Sequence, residues 1–204
     1  MRNLRTFCLS IAAALWSMQT NAQQALSNED LALARQIEAT AIQELKTEGA
    51  ARATITNEEL PNLRSTTMGR QDKSVVTEVS PIRAEQPGET QQARVSRYDY
   101  ATGLTFSTVV DLAERDAVDI KAEANVPTPL APEEIARAVE IAAQAVPQLQ
   151  SAPPNQIQLL PILDTAPQST TYAHRLVVVW REGAASSPRV LVDLSMEEVV
   201  KARF

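Results

Sequence analysis

Two parts of the chain repeat the same order of sequence patterns, and this duplication restricts the possible folds most strongly. The helical pattern LARQIEATA (33–41) matches IARAVEIAA (135–143) in register, and the run VVDLAERDAV (109–118) matches LVDLSMEEVV (191–200). Each copy predicts one helix followed by three or four short antiparallel strands, with the helix on one face of the sheet. We therefore expect an α+β protein of two tandem, related units.

Start and stop residues place the two helices. Ser27 and Asp30 have the spacing of a capping box and predict a helix that runs to about Thr47. The second helix is predicted between Pro132 and Pro147, because proline suits the first turn of a helix and disrupts its interior. Apolar residues at helical spacing give each helix one buried stripe.

Short apolar runs between polar turns predict the strands and the limits of the units. We expect a first unit at 23–123, a proline-rich linker at 124–131 and a second unit at 132–204. The polar segment 51–73 makes the first copy longer and is predicted to be an exposed loop. The predicted strands are 74–82, 93–100, 104–112 and 117–122, and then 156–163, 171–181, 189–194 and 199–202.

The stretch RYDYATGLTF (97–106) predicts a hairpin with a three-residue loop. Gly103 would supply the positive φ that such a loop needs. In that register Tyr98 faces Phe106, and the strand pair gathers an apolar cluster on the face that the helix covers. Its predicted members are Tyr98, Tyr100, Leu104, Phe106, Val110 and Leu112.

The first 22 residues have the pattern of a secretory signal peptide. Arg2 and Arg5 precede an apolar run at 7–18, which is shorter than the roughly 20 residues of a membrane span. The only cysteine, Cys8, lies inside this segment. We expect a secreted or periplasmic protein with no membrane segment after cleavage.

Composition argues against several classes of ligand. The formal net charge is −6, whereas nucleic acids and anionic membranes attract basic surfaces. The chain has five glycines and neither nucleotide-binding fingerprint, and its one histidine, His174, is predicted to be a packed, hydrogen-bonded residue. Asp111 and Asp193 could be the paired carboxylates of a hydrolase, although turn capping explains them more simply. We expect no cofactor and no metal.

One mixed face of arginine and aliphatic residues is the strongest candidate for binding a protein partner. It is predicted on the second hairpin, opposite Leu176, Val178 and Trp180. Arginine is enriched at protein interfaces, so we expect either that an unidentified protein binds there or that the two units meet there. The candidate residues are Arg175, Val177, Val179, Arg181, Arg189 and Leu191.

Four stretches resemble the non-catalytic N-terminal domains (N2/N3-like) of copper amine oxidases. They are ARVSRYDYATGLTFSTVVDL (93–112), VPTPLAPEE (126–134), TYAHRLVVVW (171–180) and RVLVDLSMEEVV (189–200). The resemblance implies an α+β fold without the catalytic domain. Tyr98-Asp99 is superficially similar to the cofactor-forming motif of that family, but Arg97 stands where the motif has Asn, and the family's copper needs three histidines.

Cystatin-like and PepSY-like modules, also one helix on a small antiparallel sheet, are a neighbouring possibility. They imply an alternative function as an extracytoplasmic protease inhibitor or propeptide-like module, although the glutamine-valine-glycine loop of cystatins is missing. A carboxylate-dependent hydrolase is a minor alternative. The function that we expect is that of a secreted, non-catalytic binding protein.

Overall fold

The structure is a computed structural model that describes residues 25–48, 53–55, 73–83, 90–166, 168–183 and 188–203. The predicted signal peptide and most of the predicted loop at 51–73 lie outside these ranges. Within them, no helix is long and apolar enough to cross a membrane.

Two sheets, each with one long helix, make up the fold, which confirms the predicted α+β class. The helices are α1 (Asn28–Glu48), α2 (Pro132–Ala145) and the short α3 (Pro147–Gln150), followed by a 3₁₀ turn (Pro154–Gln156). The first sheet has the order β1-β5-β4-β3-β2 and the second β6-β7-β8-β9. The strands are β1 (Ala53–Ile55), β2 (Ser74–Ile82), β3 (Gln92–Asp99), β4 (Leu104–Asp111), β5 (Asp116–Ala124), β6 (Ile157–Ile162), β7 (Leu176–Arg181), β8 (Arg189–Asp193) and β9 (Glu198–Arg203).

The predicted capping box starts α1. The backbone N–H of Asp30 donates to Ser27 Oγ (3.1 Å), and the backbone N–H of Ser27 donates to Asp30 Oδ2 (3.1 Å). Aspartate thus replaces the usual glutamate, and two backbone donors at the helix start are satisfied. The buried stripe of α1 packs on the first sheet and includes Ala34, Ile37, Ala41 and Ile42.

The two sheets share details that the sequence repeat alone does not show. Strands β4 and β8 both end in an aspartate whose Oδ1 accepts two backbone N–H groups of the following turn, at 2.8–3.2 Å. Four residues after each aspartate the chain adopts a positive φ, at Arg115 (56°) and Glu197 (55°). The next strand is then bulged at equivalent places, Val118 and Val200. We therefore align Asp111 with Asp193 and compare the units residue by residue.

The predicted hairpin register is wrong by one residue. Tyr98 pairs with Thr105 and Arg97 with Phe106, so the loop has four residues, 100–103. The cause is Asp99, whose Oδ1 accepts the backbone N–H groups of Ala101 (2.9 Å) and Thr102 (3.2 Å) and ends β3 before Tyr100. Gly103 has the expected positive φ of 71°.

This one-residue slip moves side chains to opposite faces of the sheet. Leu104 and Phe106 pack against α1, as predicted. Tyr98 and Tyr100 instead pack with α2 and the second sheet. The predicted single cluster is therefore divided, and the two tyrosines join the units.

Two other predicted elements differ. Ala53–Ile55, expected in a loop, forms β1 and pairs in parallel with Ile120–Ala122 of β5. The strand predicted from Thr171 begins only at Leu176, because the chain turns at 168–173 and Ala173 has a φ of 55°.

The turn before β7 reaches into the first unit. Tyr172 is buried with Ile42, Leu104 and Phe106, and the hydroxyl of Tyr98 donates to the backbone oxygen of Ala173 (2.8 Å). The two units therefore share a packed interface, which the sequence left open.

Candidate interaction face of the second sheet

The two faces of the second sheet have different surroundings. On the inner face Val177, Val179, Val190 and Val192 are fully buried and pack against α2. On the other face, Leu160, Val178 and Leu191 lie side by side in one cross-strand row that ends at Lys201. The next row contains Trp180 and Arg189. We call the outer face the set Leu160, Val178, Trp180, Arg189, Leu191 and Lys201.

Apolar side chains on the outer face remain accessible. Leu160 is 52% exposed, and Val178, Trp180 and Leu191 are each partly exposed. A partner that covers apolar surface gains about 25 cal/mol of binding free energy for each Å² removed from water. Contiguous apolar area on a sheet is therefore a candidate contact surface.

The first sheet supplies an internal comparison. The row of the first sheet at the same place contains Ser80, Arg94, Val109 and Asp119, which pair across β2, β3, β4 and β5. That row is mostly polar, and its charged residues Arg94 and Asp119 are exposed. The two sheets repeat one sequence pattern. At equivalent places the second sheet has leucine instead of serine and valine instead of arginine, so its row is more apolar.

Charge is distributed unevenly around the outer face. Arg189 is exposed beside Trp180, and Lys201 ends the apolar row at β9. On the β6 side Gln158 donates to the carboxylate of Glu182 (2.9 Å). The β8 and β9 side is thus locally basic, although the whole chain has a net charge of −6.

The predicted partner surface is divided between the two faces. Leu191 pairs with Val178, so Leu191 and Arg189 lie on the outer face. Val177 and Val179 lie in the core, and the assumption that all six residues share one face is therefore wrong. Arg181 is half-buried, and its Nε donates to Gln156 Oε1 (2.9 Å). Whether a protein binds Arg189 and Leu191 remains a prediction.

Arg175 has a different environment from the one predicted. It is 4% exposed, and its Nε and Nη2 each donate to the carboxylate of Glu134 on α2 (3.0 Å). Its Nη1 also donates to Thr128 Oγ1 (2.9 Å) in the linker. The hydroxyl of Tyr100 donates to the same carboxylate (2.6 Å), and burial together with Glu134 raises the pKa of Tyr100 above its ordinary range. Arg175 thus connects α2, the linker, β7 and the first unit.

The two repeated aspartates cap turns, as the simpler interpretation predicted. Asp111 also accepts a hydrogen bond from Thr90, and with the backbone N–H of Glu114 this lowers the pKa of Asp111. A general acid in a hydrolase needs a raised pKa, so this observation gives the hydrolase alternative no support. Within the described ranges, no group of three or more histidine, cysteine or acidic side chains could hold a metal ion.

His174 occupies the place of Thr90 in the second unit. Its Nδ1 is hydrogen bonded to Asp193 Oδ2, and the ring is buried, as predicted. His174 precedes β7, however, so it does not belong to the strand that was predicted to begin at Thr171. No hydrogen-bond partner of its Nε2 is found among the described residues.

The repeat provides a test of what His174 contributes. Replacing His174 by threonine, the residue at the equivalent place, should lower the free energy of unfolding by about 1 kcal/mol or less, because a donor to Asp193 can be kept. Replacing it by leucine should cost about 1–3 kcal/mol, because Asp193 Oδ2 then loses its donor in a buried site. Urea unfolding of both variants measures the difference, and equal losses would contradict a role in holding the turn.

Comparison with known proteins gives distant structural similarity only. No protein-family model matches the chain, and no curated protein matches it. Among solved structures, a copper-containing benzylamine oxidase from Hansenula polymorpha is similar over 71% of this chain and 28% of the oxidase chain, with 12% identity and a TM-score of 0.41. The matched region is thus well under half of the oxidase.

Proposed function

We propose that this chain is a non-catalytic, extracytoplasmic interaction module that binds a protein partner through the outer face. The observation that carries the proposal is the difference between equivalent rows of the two sheets. Leu160 and Val178 stand where the first unit has Ser80 and Arg94. The polar row of the first sheet is thus the internal reference against which the row of the second sheet is apolar.

The shape and residue types favour a protein over a small molecule. Small-molecule sites are concave and enclose most of their ligand, whereas the outer face is one side of a four-stranded sheet. Tryptophan and arginine are enriched among the residues that dominate protein interfaces, and Trp180 and Arg189 pair directly across β7 and β8. A partner surface with apolar side chains and an acidic rim would complement Leu160, Leu191 and Lys201.

Other parts of the proposal rest on sequence patterns. Secretion rests on the pattern of residues 1–22. A relation to the non-catalytic N-terminal domains of copper amine oxidases rests on the four quoted stretches, and protease inhibition is the alternative role for the same α+β units. Both roles predict a protein partner, which the next experiment tests.

Site-specific crosslinking tests the proposed face directly. A photoreactive amino acid is placed at Leu160 or, as the matched control, at Ser80 of the first sheet. The chain from Gln23 onward is then irradiated in an extracytoplasmic extract of the source cells. We expect one protein to be crosslinked from position 160 and not from position 80. Equal products from both positions, or none from position 160, would overturn the proposal.

Placing two residues of the first unit on the second sheet should weaken this interaction. The double variant Leu160→Ser and Val178→Arg places the residues of the first unit on the second sheet. We expect at least a tenfold loss of affinity for the crosslinked protein, measured by surface plasmon resonance, because apolar contact is replaced by polar groups. Arg94→Ala on the first sheet is the control and should leave the affinity unchanged.

A further inference from the structure

Charges of opposite sign lie on opposite sides of the apolar row of the outer face. Glu182 is exposed just after β7, and its carboxylate accepts a hydrogen bond from Gln158 of β6 (2.9 Å). Arg189 on β8 and Lys201 on β9 are exposed on the other side. None of these three charged residues forms an ion pair with another described residue. The face therefore carries both signs of charge, each available to a partner.

The apolar row is complementary to itself when the order of the strands is reversed. It crosses β6 to β9 as Leu160, Val178, Leu191 and Lys201. A two-fold axis parallel to the strands, between β7 and β8, lays β7 of one copy on β8 of the other and β6 on β9. Val178 then faces Leu191 of the other copy, and Leu160 faces the aliphatic stem of Lys201. Two sheets pack face to face in this way with nearly aligned strands.

The next row brings the charges together about the same axis. Trp180 and Arg189 pair across β7 and β8, so the axis places the guanidinium of one copy over the indole ring of the other. Glu182 lies two residues beyond Trp180, and its carboxylate is therefore within reach of that guanidinium. Each dimer contains this contact twice, because a two-fold interface uses the same patch of both copies.

The charge pattern also selects the direction of the axis. A two-fold axis across the strands would lay each strand on the same strand of the other copy. Arg189 and Lys201 of both copies would then lie together, with both Glu182 side chains on the opposite side. Like charges that face each other disfavour binding. The axis parallel to the strands instead brings Glu182 to Arg189.

We infer that the partner of the outer face is a second copy of this chain, bound about a two-fold axis parallel to β7 and β8. The inference rests on the proposed function, because it names the partner of the same face. Four strands of five or six residues have a flat footprint of about 350 Å² at the usual strand spacing and rise. Stable complexes bury roughly 800 Å² per partner, so we expect a weak dimer that forms as the concentration rises.

Reversal of single charges tests the arrangement. Glu182→Arg and Arg189→Glu, each alone, place like charges opposite each other in both symmetric contacts. The chain from Gln23 onward and the two variants are compared by sedimentation equilibrium up to about 1 mM, because an interface of this size is weak. We expect the parent chain to dimerise and each variant to dimerise at least tenfold more weakly. Arg94→Glu on the first sheet is the matched control and should leave dimerisation unchanged.

Mixing the two variants provides the control for folding. A dimer of one Glu182→Arg copy and one Arg189→Glu copy has opposite charges at both contacts, as has a dimer of the chain with both substitutions. One variant carries a fluorescent label, and its sedimentation is followed while the other variant is added. We expect the mixture and the doubly substituted chain to dimerise about as tightly as the parent. A monomeric parent at the highest concentration, a dimer that neither single variant weakens, or a defect that mixing does not repair would overturn the inference.

Crosslinking from position 160 separates this inference from the proposed function. The purified chain with the photoreactive residue at Leu160 should give a crosslinked dimer, joined to the peptide that contains Lys201. If the purified chain gives no dimer but a different protein is crosslinked in the extract, the proposed function is supported and the inference is wrong. No crosslink from position 160 in either sample would contradict both.

Discussion

Replacing Glu134 by leucine should lower the free energy of unfolding by about 3–5 kcal/mol, because a buried ion pair loses one partner. Glu134 is 1% exposed and accepts two hydrogen bonds from Arg175. Without this carboxylate the guanidinium stays buried with only the neutral oxygen atoms of Thr128 and Pro129 as acceptors. Urea denaturation followed by circular dichroism measures the loss.

A control on the same helix separates burial from charge. Glu140 forms an exposed ion pair with Arg137 (2.7 Å), so Glu140→Ala should change the free energy of unfolding by about 0.5 kcal/mol or less. The double variant Glu134→Leu and Arg175→Met should recover much of the loss, because no buried charge remains. A single Glu134→Leu variant as stable as Glu140→Ala would contradict the assigned network.

The sequence could not show that Arg175 is buried and paired with Glu134. The counter-charge of Arg175 lies 41 positions away on α2, and three further acceptor atoms, of Thr128 and Pro129, lie in the linker. An arginine before an apolar strand has the same local pattern whether it is exposed or paired inside. Only the placement of α2 over the strand decides between these two positions.

Local patterns predicted most of the elements correctly. Both long helices, and strands β2, β4 and β8, lie within one or two residues of their predicted limits, because caps, prolines and short apolar runs are local features. The duplication also made the turn role of Asp111 and Asp193 predictable. The hairpin register failed at Asp99, whose side chain stabilises a four-residue loop in place of the three-residue loop that Gly103 also permits.

The candidate face was only half predictable. The run LVVVW at 176–180 is apolar on both sides, so it lacks the alternation that shows which face a helix covers. The predicted partner surface therefore included Val177 and Val179, and Val178 and Trp180 were placed on the opposite face. The short strand β1 was missed for a different reason, because three residues in a polar segment give no periodic pattern and their partner β5 lies more than 60 positions away.

Tyr172 provides the second large effect, because this residue of the second unit lies in the core of the first. Tyr172→Ala should lower the free energy of unfolding by about 3–5 kcal/mol, the usual cost of removing a large buried aromatic side chain. The ring packs with Ile42 of α1 and with Leu104 and Phe106 of β4. The resulting cavity would lie between the two units.

The same variant tests whether the units unfold together. Trp180 is the only tryptophan of the chain from Gln23 onward, so its fluorescence reports the second sheet, while circular dichroism reports both units. We expect one shared transition that moves to lower urea for both probes in Tyr172→Ala, because the shared core couples the units. Tyr172→Phe keeps the ring and should lose about 1–2 kcal/mol at most. If the circular dichroism transition shifted while the Trp180 transition did not, the units would be independent, and the contact of Tyr172 would not stabilise the second unit.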